Sequence, residues 1–391
     1  MKIQDIIQLY LDFGETPVSN ENLYRKISEQ NSDMDFTVKP DEKYNINKRK
    51  IRWFQQTLKH AGIIERVQGN RGLWKLCKDK ENKLTPIDDQ VSLVGFSTDL
   101  GVAILSNCQT FFSKMNDQIN LILVSPPYPL ANSRHYGNVE EKKYVDWLCT
   151  TLEPVIESLA PGGSLCLNIS NDIFLSKMPV RSLYRERLVL ALSDRFGLYK
   201  CDELIWNNPS KPPGPVQWAS LQRQQLNVGW EPVYWFTNDP AQLASNNQRV
   251  LQPHSERHKR FMKSGGINKS SVCSDGAYYK RLGAYAKQTK GKIPKNVLTF
   301  GSGGKELNEY RNKCLEHGLP THGATMAYKL AKFLIEFITA ENDLVVDPMA
   351  GSFTTCLAAE NTNRRWIGTE RMLEYVQGAS LRFSDKPDFC L

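Results

Sequence analysis

Two short clusters in this 391-residue chain combine residue types and spacings that could do chemistry. The first is Ser125, Pro126, Pro127 and Tyr128, directly after the apolar run Leu121, Ile122, Leu123, Val124. Consecutive prolines fix two φ angles and remove two N–H donors, which leaves carbonyls that can accept from a ligand. A hydroxyl and an aromatic face stand beside them, an arrangement that suits a planar group with an amino substituent, such as a nucleobase. Taken alone, a Pro-Pro pair after a strand also fits a plain turn. The second cluster is Asp347, Pro348, Met349, Ala350, Gly351 and Ser352, preceded by Leu344, Val345 and Val346 and followed 23 positions after Asp347 by Glu370. Strand, Gly-containing turn and helix start let a ligand approach the backbone, and an acid about 20 residues on meets ribose hydroxyls in nucleoside-cofactor folds. Asp347 and Glu370 should therefore bracket a nucleoside cofactor.

These clusters need strands to carry them, and from about residue 91 the pattern supplies an α/β alternation. Strands are predicted at 102–105, 121–124, 164–169, 200–206, 232–236, 344–347 and 365–369, with Pro161, Gly162 and Gly163 turning the chain into the third. Helices are predicted at 144–159, 183–196, 328–338 and 356–360. Strands separated by helices imply a mostly parallel sheet covered on both faces, a doubly wound α/β fold.

Residues 1–85 read as a separate module. Ile3, Ile6, Ile7 and Tyr10 recur at helical spacing, Ser19 or Asn20 could cap a helix through Leu23, Tyr24 and Ile27, and a third helix spans 51–61. Strand, turn and strand follow at 63–67, 68–72 and 73–76, so the module looks like a winged helix. Between Asp41 and Lys80, 11 Lys and Arg face four acids, which permits DNA contact by helix and wing; a protein-docking wing is the alternative. The polar stretch 79–89 reads as a linker.

Net charge is +8, and it is concentrated in one place. From Arg249 to Lys295 there are 12 Lys and Arg against Glu256 and Asp275, including Arg257, Lys259, Arg260, Lys263, Lys280 and Arg281. The helix-strand alternation stops here, and Phe261, Tyr278, Tyr279 and Tyr285 are interleaved with the charges. Long irregular segments in compact domains are usually functional, and this one suits phosphates and bases, although a solvated excursion also fits. The nine cysteines are scattered with no C-x-x-C pair, which predicts free thiols in a reducing compartment and no zinc or other metal site. With no 18-residue apolar run and no signal-peptide core, the expectation is a cytoplasmic protein without a membrane partner. The segment Gly301 to Lys305 is not a P-loop, because Thr299 and Glu306 stand where Gly and Ser or Thr are needed.

Together the two clusters resemble those of the DNA amino-methyltransferases, which transfer a methyl group from S-adenosylmethionine to an exocyclic base nitrogen. Catalytic motif first and cofactor motif second is similar to their permuted beta class, and the resemblance covers about residues 95–384. Pro161 to Gly163, Leu204 to Asn207, Trp230 to Tyr234 and His322 to Met326 fall where that class has its supporting pieces. The resemblance implies a seven-stranded sheet built from residues 91–240 as the catalytic half and 297–391 as the cofactor half, with 241–296 inserted for target recognition. It further implies cofactor contacts from His322 and Thr325 besides the Asp347 cluster and Glu370, double-stranded DNA as partner, and a separate restriction endonuclease as cognate. Ser at the first motif position is associated with cytosine N4 and Asp or Asn with adenine N6, so the expected activity is cytosine-N4 methylation within a flipped-out base. An adenine-N6 enzyme, an enzyme acting on RNA, and a non-catalytic DNA-binding regulator on the same fold are the alternatives. Three positions depart from the family pattern: Phe353 in place of Gly or Asn, Met326 and Ala327 in place of Phe-Pro, and Ser106 to Cys108 without an acidic residue.

Overall fold

A computed structural model describes residues 2–14, 16–31, 34–38, 44–67, 69–77, 84–130, 139–272 and 275–391. The first segment folds as α1 (Ile3–Phe13), β1 (Val18–Ser19), α2 (Asn20–Gln30), α3 (Ile46–His60), β2 (Ile64–Arg66) and β3 (Leu73–Leu76). The strands form a small antiparallel sheet in the order β1-β3-β2. Ser19 caps α2 by accepting from Asn22 N at 3.2 Å, and Asn45 caps α3 by accepting from Lys48 N at 2.9 Å, so the third helix starts earlier than its apolar spacing indicates. Gln68, in the expected wing turn, and Asp41, Glu42, Asp79 and Lys80 lie outside the described residues.

The expected linker is only partly a linker. Leu84, Thr85 and Ile87 are buried. The Glu374 carboxylate accepts from Thr85 N at 2.7 Å and Thr85 Oγ1 at 2.8 Å, and Ile87 N donates to Arg371 O at 2.9 Å. A polar composition hid these partners, which come from nearly 300 residues away.

The rest of the chain contains β4 (Ser92–Ser97), β5 (Gly101–Ser106), α4 (Cys108–Phe112), β6 (Ile119–Val124), α5 (Glu141–Glu157), β7 (Leu159–Asn168), α6 (Tyr184–Phe196), β8 (Tyr199–Asn207) and β9 (Trp230–Thr237). After these come α7 (Glu256–Lys263), β10 (Ser271–Val272), β11 (Tyr279–Lys280), β12 (Val297–Thr299), α8 (Lys305–Glu316), α9 (Tyr328–Ile338), β13 (Leu344–Asp347), α10 (Thr354–Glu360), β14 (Arg365–Glu370) and α11 (Leu373–Ser380). The main sheet has nine strands, in the order β12-β8-β9-β7-β6-β13-β14-β5-β4, rather than the seven expected. The added strands are edges. β4 pairs antiparallel with β5, and its polar residues, Gly95 and a register shift gave no strand signal; β12 is three residues long and pairs parallel with β8. Pro161, Gly162 and Gly163 lie inside β7, where the β6 register jumps from Ile119 opposite Leu159 to Leu121 opposite Ser164. The predicted turn is thus a bulge within one strand.

Period-2 alternation sorts the central strands onto two cores. Leu121, Leu123 and Val345 pack with α9 and α10 on one face, whereas Ile122, Val124 and Val346 pack with α4, α5 and α6 on the other. β6 and β13 are parallel neighbours, Leu121 opposite Val345 and Ile122 opposite Val346, although 219 residues of chain separate them. Their C-terminal ends, with those of β7 and β14, form a single sheet edge. In open α/β sheets ligands bind at such an edge. No helix among the described residues is long and apolar enough to cross a membrane, and the eight described cysteines are unpaired, with Cys273 outside that set.

Candidate active site

Ser125 is the first residue after β6, so the strand's own hydrogen bonding fixes its backbone and the two prolines that follow stiffen the exit. In the β6–β7 register Val124 lies opposite Leu167, which sets Ser125 beside Asn168 at the end of β7. Ser125 Oγ is 3.1 Å from Tyr128 Oη, and both hydroxyls face Asn168 Oδ1, at 3.4 and 3.3 Å. Asn168 Nδ2 donates to Pro232 O at 3.1 Å, which orients the amide with its oxygen toward the hydroxyls. Tyr128 Oη also reaches Glu231 Oε2 at 3.4 Å, and Glu231 pairs with Lys211 at 2.7 Å. Burial, then the Glu231 charge, holds the Tyr128 phenol well above its usual range, so it is a neutral hydrogen-bonding group.

Across the same edge, Asp347 ends β13 and Glu370 ends β14. Asp347 is buried, and burial pushes its carboxyl up to about 7, opposed by bonds from Thr355 and Met349 N. Glu370 is also raised by burial; its Oε2 accepts from Gly351 N at 2.9 Å and its Oε1 from Arg371 N and Met372 N at 2.8 and 2.9 Å. Gly351 has φ +51°, and a Cβ there would stand 3.0 Å from His322 Nε2, so ring and turn touch because the side chain is absent. His322 N donates to Tyr310 Oη at 3.2 Å, and its ring meets Tyr375 edge-on at 4.8 Å. Arg382 closes the arrangement from below, donating to Ser352 O at 2.6 Å and Thr354 Oγ1 at 3.0 Å with its guanidinium 5.2 Å from the Tyr310 ring.

One cavity of about 420 Å³ joins the two clusters. Ser125, Pro126, Pro127 and Tyr128 line it, as do His322, Thr325, all six residues from Asp347 to Ser352, and Glu370. Its size fits a nucleoside-scale ligand. A second carboxylate, Glu370, acts on Asp347, and two carboxylates at this end of the cavity suit a ligand that brings an ammonium group together with hydroxyls; Arg311 and Arg371 line the cavity as well. Asn168, Glu231 and Tyr375 line the cavity too and were missed from sequence. Trp230 to Tyr234 stands out as a segment, but nothing in it signals which side chain turns inward.

The three departures from the family pattern each have a physical reason. Phe353 adopts φ +57° and ψ +34°, the left-handed conformation that Gly or Asn takes readily, while its fully buried ring packs 5.5 Å from Phe96. The turn is therefore kept and the aromatic serves the core. Ala327 has φ −65°, the value a proline would impose. At Asn107 the side chain donates to Asp89 Oδ1 at 3.0 Å, and Asp89 pairs with Arg371 at 2.8 Å, so a carboxylate from the segment before β4 stands beside this edge.

The basic segment behaves differently. Arg257, Lys259, Arg260 and Lys263 are on α7, and Lys280 and Arg281 are at the β10–β11 hairpin; all six are exposed, and none lines the cavity. Lys259 is engaged by Glu256 at 2.7 Å. Met262 anchors α7 from its buried side.

A model of the DNA methylase family N6_N4_Mtase matches residues 119–381. The Type II methyltransferase M.PvuII of Proteus hauseri is 31% identical over 271 residues, 69% of this chain and 79% of that one. The DNA adenine methyltransferase YhdJ of Escherichia coli (strain K12) is 24% identical over 264 residues, 67% of this chain and 74% of that one. Among solved structures, the PvuII DNA methyltransferase (cytosine-N4-specific) superimposes with a TM-score of 0.56 and 27% identity, covering 74% of this chain and 88% of that chain. A nine-stranded, mostly parallel sheet, one edge cavity shared by the two motifs, and a family match over residues 119–381 lead to one assignment: the chain belongs to the N6/N4 DNA methylase family.

Proposed function

We propose that the chain is a site-specific DNA methyltransferase of a restriction-modification system that modifies the exocyclic N4 of a flipped-out cytosine. The observation that carries this reading is that Ser125 and Tyr128, whose hydroxyls are 3.1 Å apart, line the same cavity as Asp347 and Glu370. The likeness to M.PvuII and to a cytosine-N4-specific structure supports it.

The methyl donor is S-adenosylmethionine, which when bound supplies an electrophilic sulfonium methyl. Asp347 would hold its ammonium group and Glu370 its ribose hydroxyls, with the turn from Pro348 to Ser352, His322 and Thr325 as the walls. On the other side, Ser125 Oγ and the Pro126 carbonyl accept the two N–H bonds of the base. That draws the nitrogen out of conjugation with the ring and frees its lone pair, and it stabilises the positive charge that develops in displacement. Tyr128 holds the base by its ring, a contact worth about 1–3 kcal/mol. Base extrusion costs a few kcal/mol, which phosphate contacts from Arg257, Lys259, Arg260, Lys263, Lys280 and Arg281 offset. Residues 241–296 form the target-recognition segment. The N-terminal helices with the β2–β3 hairpin act as a winged-helix module on the duplex, with Arg49, Lys50, Arg52 and Trp53 along α3. A separate restriction endonuclease would share the recognition sequence.

Adenine N6 is the second reading, favoured by the similarity to YhdJ. Digestion of enzyme-treated DNA to nucleosides separates the two: N4-methylcytosine is expected, and N6-methyladenine alone would reverse the assignment.

A further inference from the structure

An amino nitrogen that has gained a methyl group carries one proton too many, and something must receive it. Three carboxylates line the cavity among the described residues: Asp347, Glu370 and Glu231. Asp347 and Glu370 belong to the turn and strand ends on the far side. Glu231 is at the start of β9, within hydrogen-bond reach of the Tyr128 hydroxyl, which in turn meets Ser125.

We propose that Glu231 receives this proton through the hydroxyls of Tyr128 and Ser125. The inference rests on the methyl-transfer reading above and assigns a path within that site. The chain of atoms is Ser125 Oγ, 3.1 Å to Tyr128 Oη, then 3.4 Å to Glu231 Oε2, with Lys211 Nζ 2.7 Å from Glu231 Oε1. As the nitrogen becomes positive, its N–H bond breaks, its proton passes to Ser125 Oγ, and the proton already on Ser125 passes to Tyr128. The Tyr128 proton passes to Glu231. One N–H bond is lost and one carboxylic O–H bond is formed; the electron pair stays on nitrogen, so the product is neutral. The excess positive charge then rests on Lys211 instead of the base, at a half-buried pair with side chains 18% and 14% exposed.

Asn168 sharpens the assignment. Its oxygen is the other acceptor near both hydroxyls, but an amide oxygen is too weak a base to keep a proton, and its nitrogen is committed to Pro232 O. It can orient the hydroxyls and cannot end the path.

The test is single-turnover methylation of duplex DNA at saturating cofactor, for the full chain and for Tyr128→Phe and Glu231→Gln. Each variant should slow the transfer step by about 100-fold, the scale of a lost proton acceptor. Cofactor and DNA dissociation constants should be unchanged, and the two substitutions together should be no slower than either alone. Glu231→Asp should recover part of the rate. In mixtures of H2O and D2O the wild type should give a bowed proton inventory, from more than one proton in flight, and Tyr128→Phe a straight one. If Glu231→Gln fails to fold because Lys211 is left unpaired, Glu231→Gln with Lys211→Met restores charge balance and takes its place. A native transfer rate in either variant, a straight inventory in the wild type, or a loss confined to DNA affinity would overturn the relay. A wild-type protein that methylates no DNA at all would instead overturn the functional reading on which it rests.

Discussion

Glu370 Oε2 accepts the Gly351 backbone N–H at 2.9 Å, tying the end of β14 to the turn after β13. The same carboxylate takes two more backbone N–H bonds through Oε1. Its position is therefore set before any ligand arrives, and Glu370 lines the cavity. Glu370→Gln keeps the shape but weakens acceptors and opposes one backbone donor with an NH2. S-Adenosylmethionine affinity should fall by at least tenfold, about 1.4 kcal/mol, in calorimetric titration, with DNA affinity unchanged.

Asp347 gives a pH dependence of defined sign. With its carboxyl pushed up to about 7, the ligand-free protein holds a proton that an ammonium ligand must displace. Cofactor affinity should be level above that pH and fall about tenfold per unit below it, with proton release on binding near neutrality. Folding stability runs the other way. Between the ordinary aspartate range and about 7 the folded protein keeps a proton that the unfolded chain has lost, so the stability contributed by this group declines as pH rises through that window and is flat above it. Binding and melting of Asp347→Asn, compared with the wild type from about pH 5 to 8, should lose the part of each slope that Asp347 contributes, leaving that of the raised Glu370 carboxyl.

Phe353 sets backbone strain against burial. Left-handed φ and ψ cost a non-glycine residue roughly 1–2 kcal/mol, whereas removing a buried Phe costs about 3–5 kcal/mol. Phe353→Gly should therefore lower stability by about 1–4 kcal/mol in denaturant unfolding, despite relieving the strain. A stabilised variant would show that the ring contributes little at this place.

The exposed charges of α7 predict a salt effect. Replacing Arg257, Arg260 and Lys263 with Gln should flatten the plot of log affinity against log salt by about 0.9 for each phosphate that the variant no longer neutralises. Cofactor binding should be unaffected, since none of the three lines the cavity. An unchanged slope would mean that this face does not meet the DNA backbone.

Much of the site is legible in the chain for a physical reason. Apolar runs at 121–124 and 344–346 are buried on both faces and cannot be mistaken for surface, and Ser-Pro or Asp-Pro after them marks where they stop. The two motifs can thus be set at strand ends, and the nucleoside spacing of Asp347 and Glu370 is visible as a count. What cannot be read is which strands are neighbours. Asn168 and Glu231 sit in ordinary strand sequences, and they approach Ser125 because β7 pairs with both β6 and β9. β4 is hidden because Ser-Leu-Val-Gly-Phe-Ser is half polar, and its Gly95 is required by the approach of Val376 in α11, 2.4 Å from where a Cβ would lie. The segment 84–89 reads as a tether because its hydrogen-bond partners, Glu374 and Arg371, are distant in sequence.

The proposed chemistry depends above all on the Ser125 hydroxyl accepting a hydrogen bond from the amino group being methylated. The sharpest check is single-turnover methylation by Ser125→Ala, measured alongside calorimetric S-adenosylmethionine binding. Methyl transfer should be abolished while cofactor affinity stays close to that of the wild type. Transfer at the native rate by Ser125→Ala would show that the hydroxyl plays no such part.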